Sequence, residues 1–531
     1  MNTNEMTTRL DAVLAGWNRS DAPGCVASVV LNGRTLLRKG YGMASLEQLV
    51  ANGPATRMRI GSTTKHFAAI LALLLRDEGL LDIDAPCMRY LPELRAAQGQ
   101  RTLRQFMNHT GGTRDFLDLS MLSNGAAMLP ADAALEYQAA QREDNFPAGE
   151  LFSYNNGGYR MLSIAIERAL GMPLAEALQL RLFAPLGMHD SSLWVSDHDL
   201  QPGVACSHLA LPGGVFRRGV FPSAILGEGG IVSTVDDMQR WVAHLREPHL
   251  WPASLSAELT RPTRLNNGFL HPYGLGLVRE RHRGVDVIQH SGGVIGGSCQ
   301  MMYAPEHGLS IVVISNRSDV AAPFVACDLM AEVLGDALQA PAAQADASAW
   351  PGLAGRYLCA DNDRLLEVQE AGGKLFLDCE GMRLPLEQGD GGLRVNLLGV
   401  VDLALAPQQD GTLMLEEQGY RRRHARIGAA DADAQAALRR VQGVYFSSEL
   451  DAEVVIGTAQ DAAVVNMRGA YGHNRFHLEP LGGDLFRLVA QAGGLPGSGM
   501  LRLRGDGDLR ELFISTSRTR GLRLRVKAHH A

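Results

Sequence analysis

The 531-residue sequence predicts a multidomain chain: a mixed α/β (α+β) domain built on an antiparallel sheet, followed by two small antiparallel β-barrels. Three observations predict it. The length exceeds what a single hydrophobic core usually fills. Up to about residue 335, apolar runs of helical length alternate with β-rich segments. Beyond that point short alternating apolar runs are separated by Gly-rich turns, as in Leu365-Leu-Glu-Val368 and Lys374-Leu-Phe-Leu-Asp378, the pattern of antiparallel strands.

The expected domains are 1–335, 351–430 and 438–531, with the alanine-rich stretch 336–350 as a linker of little apolar periodicity. The two β-rich units read as a duplication. Leu353-Ala-Gly-Arg-Tyr-Leu358 and Val441-Gln-Gly-Val-Tyr-Phe446 open them, and Gly419-Tyr-Arg-Arg-Arg423 and Gly521-Leu-Arg-Leu-Arg525 close them. In the N-terminal domain, Val26–Leu31 and the run from Thr35 flank Asn32-Gly33, which predicts a β-hairpin with a type I′ turn. His66 to Glu78 predicts a helix closed by Gly79, and Ala68 to Leu75 is apolar all round, so it belongs at the centre of the domain. Ile311–Ser315 reads as an inner strand leading to a last helix near Pro323–Leu334.

Composition excludes several function classes. A net charge of -7 argues against nucleic acid as a partner. No apolar run reaches membrane-spanning length, and Met1–Asp21 lacks the pattern of a secretory signal, so a cytoplasmic location is expected. Seven scattered cysteines with no C-x-x-C pair point to reduced thiols rather than disulfides or zinc. Only Lys39, Lys65, Lys374 and Lys527 among the 50 basic residues are lysines, so a lysine retained here invites the question of what arginine could not do.

Three segments carry chemistry. Gly61-Ser62-Thr63-Thr64-Lys65 leads into the buried helix, and the i, i+3 spacing puts the Ser62 hydroxyl and the Lys65 amine on one face. Burial beside a helix N-terminus lowers the lysine pKa, so that it can accept the serine proton. Phe152-Ser-Tyr154-Asn-Asn156-Gly-Gly158 offers a phenol and a carboxamide two residues apart on a tight loop: Tyr154 as proton relay, Asn156 as a holder of the lysine or of a substrate amide. Gln289-His290-Ser291-Gly292-Gly293 supplies an opposite wall, with His290 shaping it and the glycines allowing close approach and an oxyanion N–H.

S-x-x-K, then Y-x-N some 90 residues later, then H-x-G in this order resembles the serine β-lactamase and penicillin-binding superfamily. Supporting segments are Glu78–Pro86, Thr102–Gly111, Leu186–Ser191 and Gly229–Asp237. The chain is further similar along its whole length to one subgroup, the D-stereospecific aminopeptidases, which carry two C-terminal β-barrels. The resemblance implies a β-lactamase-like catalytic fold, hydrolysis through an acyl-enzyme on Ser62 with Lys65 as base, no cofactor or metal, and a homodimer acting on small D-amino-acid amides, esters or short peptides. It also implies that a loop of the last domain, here 473–481, reaches the active site. That makes Asn474, His477 and Glu479 expected substrate contacts, with Val278 and Glu228 on the catalytic domain. The chain departs from the subgroup in having His477 where an aspartate is usual and Val278 where a polar amide is usual. Two other functions fit the same residues: an esterase, amidase or β-lactam-hydrolysing enzyme of the same mechanism, and a non-catalytic ligand-binding protein.

Overall fold

A computed structural model describes residues 3–379, 382–389, 391–428, 434–459, 462–491, 498–505 and 507–527. The N-terminal domain is built on a six-stranded antiparallel sheet. Its strands are β1 (Cys25–Leu31), β2 (Arg34–Tyr41), β3 (Val278–His282), β4 (Val285–Val294), β5 (Gly297–Ala304) and β6 (Leu309–Ser315), in the order β3-β4-β5-β6-β1-β2. The β1–β2 hairpin turns at Asn32 and Gly33, both at positive φ (50° and 77°), as the type I′ turn requires.

Period-2 alternation gives each inner strand two apolar faces, which is why the sheet is covered on both sides. Ile311 and Val313 of β6 face helices α1 (Thr3–Leu14) and α6 (Ala322–Leu334). Val312 and Ile314 face the larger cluster that contains α2 (Lys65–Asp77), α4 (Asn156–Leu170) and α5 (Val235–Arg246). Helix α2 starts one residue earlier than its apolar run suggests, because a 3-10 turn, Gly61–Thr64, feeds into it without a break. Phe67 to Leu73 are all fully buried, and each large apolar side chain so placed contributes roughly 1.5–3 kcal/mol. Gly79, at φ 73°, closes the helix by donating its N–H to the Arg76 carbonyl.

The stretch 336–350 is only partly a linker. Ala345 is fully buried among the apolar residues of the first barrel, its N–H donates to Leu386 O (2.8 Å), and its carbonyl accepts from Leu375 N (3.0 Å). A small side chain fits where the strand must lie flat against a neighbour, and composition alone cannot separate that use of alanine from a solvated linker. The first barrel is a nine-stranded antiparallel sheet whose end strands, Met382–Pro385 and Glu387–Gly389, are consecutive in the chain, so it curls into a near-closed barrel. The C-terminal barrel is closed, with eight strands from Gly443–Ser447 to Leu522–Val526.

The core of the C-terminal barrel is continuous with the N-terminal domain. Helix α3 (Phe116–Asn124) of that domain contributes Phe116, Leu119 and Leu122 to the same apolar cluster as barrel residues Tyr445, Phe476 and Phe486. At this junction Arg114 is fully buried and pairs with Glu449 (2.7 Å), itself buried.

Candidate active site

Ser62 sits in the 3-10 turn before α2, at the floor of a cleft of about 1830 Å³ lined by the catalytic domain and both barrels. The turn is locked against β4. Gly61 is at φ 55°, and a side chain there would meet Gly293 N and O at 2.8 Å. At Gly292 a Cβ would lie 1.9 Å from Ile60 O and 3.1 Å from Ser62 N, so only glycine lets the strand come this close to the serine backbone. Gly293 has open space where its side chain would be.

Lys65 is fully buried, and its Nζ lies 3.0 Å from Ser62 Oγ, 2.9 Å from Asn156 Oδ1 and 2.7 Å from the carbonyl oxygen of Glu228. A neutral amine has two N–H groups and one lone pair. Asn156 and the Glu228 carbonyl accept the two N–H groups, which turns the lone pair towards the Ser62 hydroxyl. Burial brings the Lys65 pKa down to about 7, with Arg518 lowering it further against the opposite pull of Glu228 and Asp115. The neutral form that this hydrogen-bond pattern needs is therefore accessible near neutral pH. Tyr154 lines the cleft with Ser62; burial holds its phenol above the usual range, so it stays protonated. The Lys65 Nζ lies 4.7 Å from the Tyr154 ring centroid.

His290 is neutral, with its pKa pushed by burial, and then by Lys65, to about 3. Its orientation follows from a chain of hydrogen bonds. The Asn155 N–H donates to His109 Nδ1 (3.1 Å), so His109 carries its proton on Nε2 and donates to Tyr273 Oη (3.2 Å). The other end is equally determined: His290 Nδ1 lies 2.6 Å from Ser291 O, which demands an N–H there. His290 Nε2 is then an acceptor, and Tyr273 Oη donates to it (3.0 Å). His290 is a rigid part of the wall and carries no proton to exchange with a partner in the cleft.

Helix α4 places Asn156. Asn155 caps it, with its Oδ1 accepting from Gly158 N (3.1 Å), so Tyr154-Asn-Asn-Gly-Gly is the entrance of a helix rather than a tight loop. Buried Asp115 accepts from the N–H groups of Asn156 (3.0 Å) and Gly157 (3.1 Å), satisfying the free amides of that helix end.

The expected substrate contacts are placed differently. Residues 473–481 form a strand, His473–Gly482, not a loop projecting to Ser62. Phe476 and Leu478 point into the barrel, so the period of two turns His477 and Glu479 outward, exposed and away from the cleft lining. Asn474 does line the cleft, with its Nδ2 donating to Met121 O (2.7 Å). The segment that reaches the site is instead the turn 516–521, which brings Arg518 to 5.6 Å from the Tyr154 ring. Glu228 contributes its main-chain carbonyl to Lys65, while its carboxylate is taken by Arg160 of α4 (2.6 Å). Val278 is buried beside Phe152 and Tyr273. Among the described residues no group of three His, Cys, Asp or Glu side chains could hold a metal ion.

The sequence reading missed Asp115, His109, Tyr273 and Arg518. Asp115 alone had a local signal, an acidic residue immediately before the apolar run of α3.

Comparison with known proteins agrees with this geometry. The Beta-lactamase family model matches residues 10–334. A D-aminopeptidase of Gluconobacter oxydans (strain 621H) is 27% identical over 496 residues, 92% of each chain. One of Cereibacter sphaeroides (strain KD131 / KCTC 12085) is 28% identical over 505 residues, 91% of this chain and 92% of that one. The structure of the octameric penicillin-binding protein homologue from Pyrococcus abyssi superposes with a TM-score of 0.55 at 18% identity, covering 99% of this chain and all of that one, a likeness of fold. With the catalytic domain matched from end to end and a buried serine–lysine pair at its centre, this chain belongs to the Beta-lactamase family of serine hydrolases.

Proposed function

We propose that the protein is a D-aminopeptidase, releasing an N-terminal D-residue such as D-alanine from small peptides and amides through an acyl-enzyme. The observation that carries the mechanism is the buried Lys65 amine, with both N–H groups engaged and its lone pair towards Ser62. Ser62 Oγ gives its proton to Lys65 as it bonds to the substrate carbonyl carbon. N–H groups of Ser62 and Gly293 hold the oxyanion. The C–N bond then breaks, and the proton passes from Lys65 by way of Tyr154 to the leaving amine. Water, deprotonated along the same route, splits the acyl ester and returns the proton to Ser62. Support for the substrate class comes from the relatives called D-aminopeptidase, which match over nine-tenths of both chains.

A second reading, an esterase or amidase with the same mechanism, is favoured by one observation. Three acidic groups of the cleft wall already have partners: Glu228 with Arg160, Asp118 with Thr516 and Thr519, and Glu417 with Arg364. All three are engaged, Glu228 through one oxygen only, its Oε2 being buried without a hydrogen bond. Turnover of D-Ala and L-Ala p-nitroanilides beside a simple acyl ester separates the readings. Selective D-Ala amide turnover supports the aminopeptidase; ester turnover with no D-Ala amide turnover rules it out.

A further inference from the structure

The turn between strands Glu511–Ser515 and Leu522–Val526 is held by the catalytic domain at every step. Thr516 and Thr519 hydroxyls both donate to Asp118 Oδ2 at 2.6 Å. Asn145 brackets the tip, its Nδ2 donating to Arg518 O (2.8 Å) and its Oδ1 accepting from Arg520 N (2.7 Å). Arg114 donates to Arg520 O through Nε (3.0 Å) and Nη2 (2.9 Å). The backbone on both sides of Arg518 is thus fixed by three side chains of another domain.

This places Arg518, of the several arginines in the cleft wall, over the ring of Tyr154 in the cleft that Ser62 also lines. About a third of the Arg518 side chain (36%) remains exposed there. Its nearest anion, Asp115, is 3.4 Å from Nη1 and already accepts from the N–H groups of Leu117, Asn156 and Gly157. The guanidinium is therefore a fork of donors with one long contact, pre-positioned and partly desolvated, which is the arrangement that suits a planar anion. Its place beside Tyr154 is on the side from which, in the mechanism above, the leaving amine departs.

We propose that Arg518 is the recognition residue for the free carboxylate of the leaving amino acid, so that dipeptides with an N-terminal D-residue are preferred to simple amides. This rests on the aminopeptidase reading and narrows it. The C-terminal barrel is then part of the substrate site chiefly through the turn 516–521, and not through His477 and Glu479 of the strand His473–Gly482.

The test compares D-Ala-L-Ala with its C-terminal amide in the full-length wild type, Arg518→Ala, Arg518→Met and Arg518→Lys. Wild type is expected to favour the free acid at least about 10-fold in kcat/KM, and the acid-to-amide ratio to fall about 10- to 100-fold in the Ala and Met variants, the value of a charge-assisted hydrogen bond. Lysine should restore part of the ratio. A ratio that stays within about twofold of wild type in Ala and Met variants of unchanged melting temperature overturns the proposal, as does a wild type that prefers the amide. If wild type turns over neither compound, the aminopeptidase reading falls. Arg518 is then judged by binding: protection of Ser62 from a fluorophosphonate probe by the acid no better than by the amide overturns it, and better protection lost in Arg518→Met upholds it.

Discussion

At Lys65 a single side chain combines burial with saturation of its donors, and the rate should follow its ionisation. The base is active when neutral, so kcat/KM is expected to rise with pH through about 7 and level off above it, as a pH–rate profile on a neutral amide would show. Arg518 lowers the Lys65 pKa, so Arg518→Ala should move that limb to higher pH. Lys65→Arg keeps the charge but cannot deprotonate, and it should cost at least about 10³-fold in kcat with the fold intact by circular dichroism. Ser62 and Lys65 were legible because they lie three residues apart on one helical turn. The part played by His109 and Tyr273 was not, since it rests on hydrogen bonds to residues distant in the chain, which fix the tautomer of His290. Glu228 was singled out for its carboxylate, yet its backbone carbonyl is what touches Lys65, a use that no side-chain inventory contains.

At the scale of the element, the entrance of α4 positions both Tyr154 and Asn156. Asn155 supplies the cap, and its Nδ2 also donates to Thr113 O (2.6 Å). Asn155→Ala should therefore destabilise the protein by about 1 kcal/mol or more in urea unfolding, and lower kcat by loosening Asn156 against Lys65. Gly158→Ala should be worse, because its Cβ would meet Phe106 Cβ at 3.0 Å and Phe106 O at 3.1 Å. The Gly-Gly pair resembled a turn in the sequence; here it serves close approach between helices, and glycine's composition signal is the same for both uses. The strand His473–Gly482 repeats the lesson in β structure. In the sequence 473–481 reads as a loop; that it is a strand, and which of its faces is outward, is decided by Phe476 and Leu478 entering the barrel.

At the scale of the whole molecule, the C-terminal barrel and the catalytic domain share one apolar cluster and one buried ion pair. Glu449→Ala removes the buried carboxylate partner of Arg114 and leaves only the exposed Glu143 at 3.6 Å, an imbalance worth up to about 3–5 kcal/mol. The expected outcome is a lower melting temperature, faster proteolysis between the barrels and reduced turnover, since Arg114 also holds the turn that carries Arg518. Retained activity with an unchanged melting temperature would show that the junction does not matter to the site.

From the sequence alone came the division into a mixed α/β domain and two barrels, together with the serine, the lysine, the tyrosine and the glycine-rich wall. The serine–lysine pair and the strands are matters of local spacing and periodicity, complete within a dozen residues, while the tyrosine and the two barrels were read from the order of motifs, the repeat and the family resemblance. The substrate side of the cleft was decided only in three dimensions. Arg518 meets Asp115 across 403 residues of chain, on a turn whose place depends on a barrel closing, on α3 entering its core and on Asp118 and Asn145 holding it. A contact made by three such events leaves no pattern along the chain, because no one segment has to carry it.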